Sequence, residues 1–328
     1  MAVLYFIPIL LLTLVFGYLN SLNGAASIVA TLISSRALSP RRAVLLAALF
    51  MCSGPFLLGV AVAGAVGTDM VAVRAQTAHV LVAALAGAIA WVIVAVWLKI
   101  PSSTTQAFVG ALVGAVWIGF GRDAVLVPGL TKTLLALFLS PVLGIIGGYW
   151  LVKACYVCSA SASPQVNVWF KRGQVPLCAL LALAYGANDG QKIVGILVFG
   201  LVATGLIQSF AVPEWVVALS ALTMLLGTLL GSWRLIHTLG NKFYHIRPVH
   251  GFGAQVASGT ILLSASLLGG PVSSSQVITS AIVGAGSAER MQLVRWQAVR
   301  RILSGWLLTL PISALAGAVI YIVISQVV

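Results

Sequence analysis

The stretch Gly186-Ala187-Asn188-Asp189-Gly190-Gln191-Lys192 decides the fold class, because it places polar and charged side chains inside an apolar segment from Val175 to Thr204. A carboxylate at membrane depth costs about 2.5–3.5 kcal/mol on insertion scales, so Asp189 is expected to be functional. The two glycines allow the backbone to leave helical geometry and to turn peptide groups toward a ligand. Such a broken helix is typical of membrane proteins that bind ions and small substrates within the bilayer.

The composition of the whole chain agrees with a location in the lipid bilayer. Of the 328 residues, 61% are hydrophobic and 7% are charged, and the mean hydropathy is +1.11. A soluble domain carries about 25% charged residues. The apolar runs are long and continuous rather than alternating, so the sequence predicts an all-α polytopic membrane protein.

The positions of the basic residues argue against nucleic-acid binding, which a net charge of +13 would otherwise suggest. Most Lys and Arg residues lie in four short loops, whereas Asp69, Asp123 and Glu214 lie in the intervening ones. This positive-inside pattern predicts cytoplasmic basic loops and a plasma-membrane location. His245 and His250 lack metal-ligand spacing and are expected to be solvated in one of these loops. The basic loop residues are Arg36, Arg41, Arg42, Lys153, Lys171, Arg172, Arg234, Lys242, Arg247, Arg290, Arg295, Arg300 and Arg301.

Apolar runs of membrane-spanning length organise the chain. They cover approximately residues 2–33, 43–66, 78–99, 102–120, 132–153, 175–205, 215–238, 251–269, 271–287 and 302–326. The first and sixth runs are too long for one straight crossing, and each contains a polar break.

Two motifs recur in the same order in both halves of the chain. Residues 23–29 align with 188–194 at an offset of 165, and residues 101–106 align with 271–276 at an offset of 170. Two matches at nearly the same offset indicate an internal duplication. The sequence leaves open whether the second motif starts a crossing or a hairpin.

The loop charges give the two halves opposite orientations, since the run at 2–33 would point inward and the run at 175–205 outward. We therefore expect two inverted repeats, residues 1–153 and 175–328, joined by a cytoplasmic linker at 154–174. In that architecture the substrate site lies near the bilayer midplane, between broken or hairpin helices at the repeat interface.

Each repeat carries at least three consecutive hydroxyl residues at the predicted start of a helix. Free N–H groups and the positive end of the helix dipole attract an anion there, and hydroxyls add donors without adding charge. Two symmetry-related copies favour a substrate site over simple helix capping. Gln106 and Gln276 follow the runs and either bind oxyanion oxygens or cap. The hydroxyl residues are Ser103, Thr104, Thr105, Ser273, Ser274 and Ser275.

The candidate residues for a coupling cation are Asn23, Asn188, Asp189 and Gln191. Na⁺ prefers carboxylate, amide and carbonyl oxygens, and a carboxylate can also carry a proton, so both Na⁺ and H⁺ stay open. Lys192 either attracts the anion or neutralises Asp189 one helical turn away. We expect no other metal and no cofactor.

These motifs resemble the inorganic phosphate transporter family, the Pit or PHO4-like permeases. Residues 186–192 are similar to the signature of the family's second half, and residues 35–41 to the loop after its first signature. Residues 271–275 and 294–296 also fit, in family order over essentially the whole chain. The resemblance implies a symporter with inverted repeats that takes up phosphate with Na⁺ or H⁺. It also implies that Asn188, Asp189 and the six hydroxyl residues line the substrate and ion sites.

Two departures from the family pattern bear on selectivity. The family's first half usually carries Asn-Asp where this chain has Asn23-Gly24, and its Ser/Thr motifs usually end in His rather than Gln106 and Gln276. A site with fewer acids loses an acceptor for the proton that phosphate carries at neutral pH. Sulfate or a related oxyanion, as in the sulfate-permease-like members, is therefore the alternative substrate.

The sequence favours secondary active uptake rather than catalysis. It contains no evident base–nucleophile pair and no Gly-x-x-x-x-Gly-Lys-Ser/Thr loop for a nucleotide. Inward movement of an anion against the membrane potential costs about 2.3 kcal/mol per net charge per 100 mV, so a co-transported cation is required. A passive anion channel is the alternative of another class, and a homo-oligomer is possible.

Overall fold

The computed structural model describes residues 2–57, 59–239 and 247–327, with side chains described for all of these except 231–239, 293 and 327. Lys242 and His245 of the third basic loop lie outside this part, as does the side chain of Arg234. The regular elements of the described part are helices, apart from one antiparallel bridge between Val71 and Val125.

Eleven α-helices account for most of the described residues. They are α1 (Ala2–Ser34), α2 (Pro40–Leu57), α3 (Ala61–Gly67), α4 (Ala78–Trp97), α5 (Thr104–Phe120), α6 (Val127–Cys158), α7 (Val166–Ala203), α8 (Glu214–Leu239), α9 (Pro248–Leu267), α10 (Ser274–Glu289) and α11 (Trp296–Val327). Helices α1, α4, α6 and α11 are long and apolar enough to cross a membrane, and α2 with α3 would form a fifth span bent by 79°. The fold is thus all-helical, as the sequence predicts.

Helix α7 corrects one expectation, because it is continuous through residues 186–192 instead of breaking there. The two glycines serve close packing. A Cβ atom at Gly186 would lie 2.0 Å from the carbonyl oxygen of Met51, and one at Gly190 would lie 2.4 Å from Pro55 Cγ. Glycines at this spacing let two membrane helices approach backbone to backbone, here α7 and α2. Helix α1 is likewise continuous from Ala2 to Ser34.

The segment expected to be a linker is also mostly helical. Helix α6 extends to Cys158 and α7 starts at Val166, which leaves only residues 159–165 of the stretch 154–174 outside a helix. In the sequence, Lys153, Lys171 and Arg172 interrupt the apolar runs. They do not end the helices, because a helix can extend beyond the hydrocarbon into water.

Several basic loops meet at one end of the helix assembly. The Ser35 hydroxyl donates to Gln174 Oε1 (3.0 Å), and Gln174 Nε2 donates to the carbonyl oxygen of Pro248 (3.0 Å). These bonds join the end of α1 to the starts of α7 and α9. At the same end, Arg247 pairs with Glu289 at 2.7 Å, which connects α9 to the end of α10.

His250 corrects a second expectation, because it is buried rather than solvated. Its Nε2 atom lies 3.0 Å from the hydroxyl of Tyr156 and 3.2 Å from the Glu289 carboxylate. The residue lies in the first turn of α9, which packs against α6 and α10. The apolar pattern of the sequence placed the start of this helix too late.

Helices α1 and α7, which carry the first repeated motif, run antiparallel through the centre. Helix α1 begins at the end where α4 and α8 also begin, which is the end with the exposed acids Asp69, Asp123 and Glu214. It ends among the basic loops, where α7 begins. Contacts along the pair join Ile9 to Gly200, Asn20 to Tyr185, Ile28 to Cys178 and Ser35 to Gln174.

The second repeated motif lies at the tips of two helical hairpins, α4–α5 and α9–α10. Lys99 and Gly269 stand at equivalent places after the first helix of each hairpin, with φ values of 56° and 69°. The next residue of each tip closes the turn with a 2.8 Å bond, from Ile100 N to Ala95 O and from Gly270 N to Ala265 O. Helix α5 then packs along α11, and α10 packs along α6.

Candidate functional site

The two hairpin tips touch each other through repeat-related residues. The Ser103 hydroxyl donates to Ser273 Oγ at 2.8 Å, and Gln276 Nε2 donates to Gln106 Oε1 at 3.0 Å. In both pairs the partners are 170 positions apart, which is the offset of the duplicated motif. The hydroxyl runs and the glutamines therefore meet in one place in the middle of the helix assembly.

The related hydroxyl residues Ser103 and Ser273 each directly precede a helix, but the two side chains make different hydrogen bonds there. Ser103 caps α5, since its Oγ accepts from the backbone N–H of Gln106 at 3.2 Å. Ser273 occupies the same position before α10, yet its side chain does not cap that helix and faces Ser103 instead. Ser103 thus caps its helix and also contacts the other tip, whereas Ser273 contacts the other tip without capping its own helix.

Lys192 binds α7 to both tips. Its ammonium donates to the carboxylate of Asp189, to Thr105 Oγ1 at 3.0 Å and to the backbone carbonyl of Val272. Only 4% of the Lys192 side chain and 2% of the Asp189 side chain are exposed. The two charges therefore form a buried ion pair, which is one of the two roles that the sequence left open for Lys192.

Asp189 also accepts a hydrogen bond from the Ser274 hydroxyl at 3.1 Å. The chain has five acidic residues, all in the described part, and Asp189 is the one that is buried. A buried carboxylate requires partners that replace water. Here they are the ammonium of Lys192 and a hydroxyl of the α10 tip.

Asn20 and Tyr185 belong to this site although the sequence analysis did not select them. The Thr104 hydroxyl donates to Asn20 Oδ1, and the Tyr185 hydroxyl donates to the Asn20 carbonyl oxygen at 3.3 Å. Their common signal was a polar group in an apolar helix, one turn before Gly24 and Asp189 respectively. Asn20 thereby connects α1 to the α5 tip.

The other predicted cation ligands are more dispersed. Asn188 Nδ2 donates to Ser266 Oγ at 3.3 Å and to the carbonyl oxygen of Gly270 at 3.0 Å, beside the α9–α10 tip. Its Oδ1 atom is buried and has no hydrogen-bond partner among the described residues. Gln191 faces another way, since its Oε1 accepts from the backbone N–H of Val62 at 3.0 Å and so caps α3.

Asn23 and Ser275 are half-buried, in contrast to the fully buried residues of the ion pair and the tips. The carbonyl oxygen of Asn23 accepts from the Ser27 hydroxyl within α1, at 3.4 Å. Within the described part of the chain, the side chains of Asn23 and Ser275 take no part in the hydrogen bonds that join the tips to each other and to the Asp189–Lys192 pair.

The site is electrically balanced and rich in uncharged donors. One carboxylate and one ammonium cancel, and buried hydroxyl and amide groups surround them. Among the residues that the structure describes, no group of three or more His, Cys, Asp or Glu side chains could hold a metal ion. Hydroxyl and amide groups bind an oxyanion by hydrogen bonds and also release it, because they add no fixed charge.

Apolar helices around a buried polar centre define an integral membrane protein. The chain matches the phosphate transporter family, PHO4, over residues 20–163 and again over residues 156–317. It is 37% identical to a probable low-affinity inorganic phosphate transporter of Rhizobium meliloti, over 96% of this chain and 95% of the relative. It is 36% identical to a protein of the same description from Bacillus subtilis, over 98% and 97%.

The protein belongs to the phosphate transporter family, and it is therefore a transporter and not an enzyme. This membership confirms the family that the motifs resemble. A solved structure described as "The sodium-dependent phosphate transporter" has the same fold, with a TM-score of 0.88. It shares 21% sequence identity with this chain, and the match covers 99% of this chain and 100% of that one.

Proposed function

We propose that this protein is a secondary active symporter that takes up inorganic phosphate together with a coupling cation, Na⁺ or H⁺. The observation that carries the proposal is the buried Asp189–Lys192 pair, held by hydroxyls from both hairpin tips. Phosphate would bind among these hydroxyls, and Gln106 and Gln276 would contribute amide groups. Membership of the family gives the class of substrate, and the proposal adds the mechanism of transport.

The neutral charge of the site supports cation coupling. Because Asp189 and Lys192 cancel, the site has no positive charge left to balance an incoming phosphate. Uptake against the membrane potential would cost about 2.3 kcal/mol per net charge per 100 mV without an accompanying cation. Asn188 Oδ1, which has no hydrogen-bond partner within the described part of the chain, is an oxygen that such a cation could use, and a structural neighbour is described as sodium-dependent.

We further propose that the two halves of the chain are inverted repeats, with their basic loops in the cytoplasm and the protein in the plasma membrane. The antiparallel course of α1 and α7 supports this arrangement. So do the reciprocal contacts of α5 with α11 and of α10 with α6. Alternating access would then move one repeat against the other around a site that lies between the tips.

Uptake of radiolabelled phosphate into proteoliposomes, under an imposed Na⁺ or H⁺ gradient, tests this function. We expect concentrative uptake under at least one gradient and its loss when an ionophore dissipates that gradient. Transport of sulfate, with no phosphate uptake under either gradient, would contradict the assignment of phosphate. Phosphate flux that is independent of both gradients would instead indicate a passive channel.

The contact between the tips gives a further prediction. In a background that lacks Cys52, Cys155, Cys158 and Cys178, the double variant Ser103→Cys/Ser273→Cys should form a disulfide on oxidation, since the native Oγ atoms are 2.8 Å apart. Uptake should then fall by about tenfold or more, because alternating access requires the tips to separate. A reductant should restore it, and the Ser103→Cys single variant should not respond. Full uptake by the cross-linked protein would mean that the tips stay together.

A further inference from the structure

The surroundings of the Lys192 ammonium are those of a bound cation. Three oxygens contact it: a carboxylate of Asp189, a hydroxyl of Thr105 and the backbone carbonyl of Val272. They come from three separate segments, namely α7, the start of α5 and the tip before α10. Carboxylate, hydroxyl and carbonyl oxygens are also the groups that coordinate Na⁺ in transporters.

The hydrogen bonds of this ammonium are fully used. A lysine side chain has three N–H donors and no acceptor, and Lys192 has three oxygen partners. In this state no donor remains for a substrate anion. The ammonium therefore holds the tips against α7.

Among the residues that the structure describes, the other half of the chain has no equivalent arrangement. Ser27 stands 165 positions before Lys192, and its hydroxyl bonds to the carbonyl of Asn23 in its own helix. Gly24 stands where Asp189 would be, and the ring of Tyr185 occupies the space next to it, 2.0 Å from where a Cβ atom would lie. The fixed positive charge of Lys192 thus has no counterpart at the related position, Ser27.

We propose that Lys192 is a tethered cation that takes the place of a diffusible Na⁺ between α7 and the two hairpin tips. The proposal rests on the proposed symport function and deepens it. At this position the carrier needs no ion from solution, so any coupling Na⁺ binds elsewhere. Removal of the ammonium leaves the three oxygens in place and turns the position into a Na⁺ site.

Thermal unfolding of the purified, detergent-solubilised protein tests whether Na⁺ binds in place of the Lys192 ammonium. NaCl replaces choline chloride at constant ionic strength, and the shift in Tm is compared between the wild type and Lys192→Met. The methionine side chain keeps the length of the lysine stem but lacks the Nζ atom. We expect Na⁺ to raise the Tm of Lys192→Met by at least about 3 °C more than it raises that of the wild type, because an added ligand stabilises the folded state.

Two further variants identify the source of the shift. Lys192→Met/Asp189→Asn removes the carboxylate as well, so the gained response to Na⁺ should disappear. Lys192→Ala provides a second test of the gain if Lys192→Met does not fold. The proposal is overturned if Na⁺ shifts the single variants no more than the wild type, or if the gain persists in the double variant.

The same assay separates this proposal from the proposed function. Inorganic phosphate should raise the Tm of the wild type, whatever the outcome for Na⁺. A gain of Na⁺ response in Lys192→Met without any phosphate effect or uptake in the wild type would support the tethered cation and contradict phosphate symport. Phosphate uptake by the wild type without a gain in the variants would contradict the tethered cation alone.

Discussion

Replacement of Asp189 by asparagine is expected to abolish gradient-driven phosphate uptake. The substitution removes the buried acid of the site and leaves the Lys192 ammonium without its counter-charge. Removal of one partner of a buried ion pair destabilises a protein by about 3–5 kcal/mol, so the folded state should also suffer. Uptake in proteoliposomes, normalised to correctly folded protein, measures the first effect, and thermal unfolding in detergent measures the second.

Two controls separate transport from folding in this experiment. Glu214→Gln neutralises an exposed acid at the start of α8 and should leave both the uptake and the thermal stability unchanged. Asp189→Asn/Lys192→Met replaces the pair by neutral groups of similar volume, which should recover most of the stability but not the coupled uptake. An unchanged uptake rate in Asp189→Asn would mean that coupling does not depend on this carboxylate.

Introduction of an acid at Gly24, the position related to Asp189, is expected to damage folding severely. In Gly24→Asp the new Cβ atom would lie 2.0 Å from the Tyr185 ring, which is almost completely buried. Overpacking costs about 1–3 kcal/mol, and a carboxylate at membrane depth adds about 2.5–3.5 kcal/mol when it lacks a partner. The yield of monodisperse protein on size-exclusion chromatography should therefore fall strongly.

A smaller residue at position 185 should relieve this damage. The double variant Gly24→Asp/Tyr185→Ala should yield more folded protein than the sum of the effects of the two single variants predicts. The effects are not additive because the two side chains compete for the same space. Gly64→Asp is the matched control, since nothing lies within 4 Å of a Cβ atom there. Equal yields for Gly24→Asp and the wild type would show that Tyr185 does not fill this position as described.

The composition and the long apolar runs were enough to predict the all-helical membrane fold. Long apolar runs require helices in a bilayer, because backbone groups there must satisfy one another. The offset of 170 between the two Ser/Thr runs predicted that Ser103 and Ser273 are related positions, and the structure brings these two residues into contact. The motif at 186–192 likewise located the buried acid, since a charge within an apolar segment stands out in any sequence.

The tertiary structure decided what each of those residues contacts. Glycines 186 and 190 look the same in a sequence whether they break a helix or admit a neighbouring one, and only the position of α2 shows that they do the latter. Asn20 and Tyr185 became part of the site because α1 and α7 cross antiparallel at that point. Sequence alone therefore determined that polar and charged residues lie within the apolar segments of a membrane protein. The partners of its charges depend on distances between helices that are far apart in the chain, and only packing determines those distances.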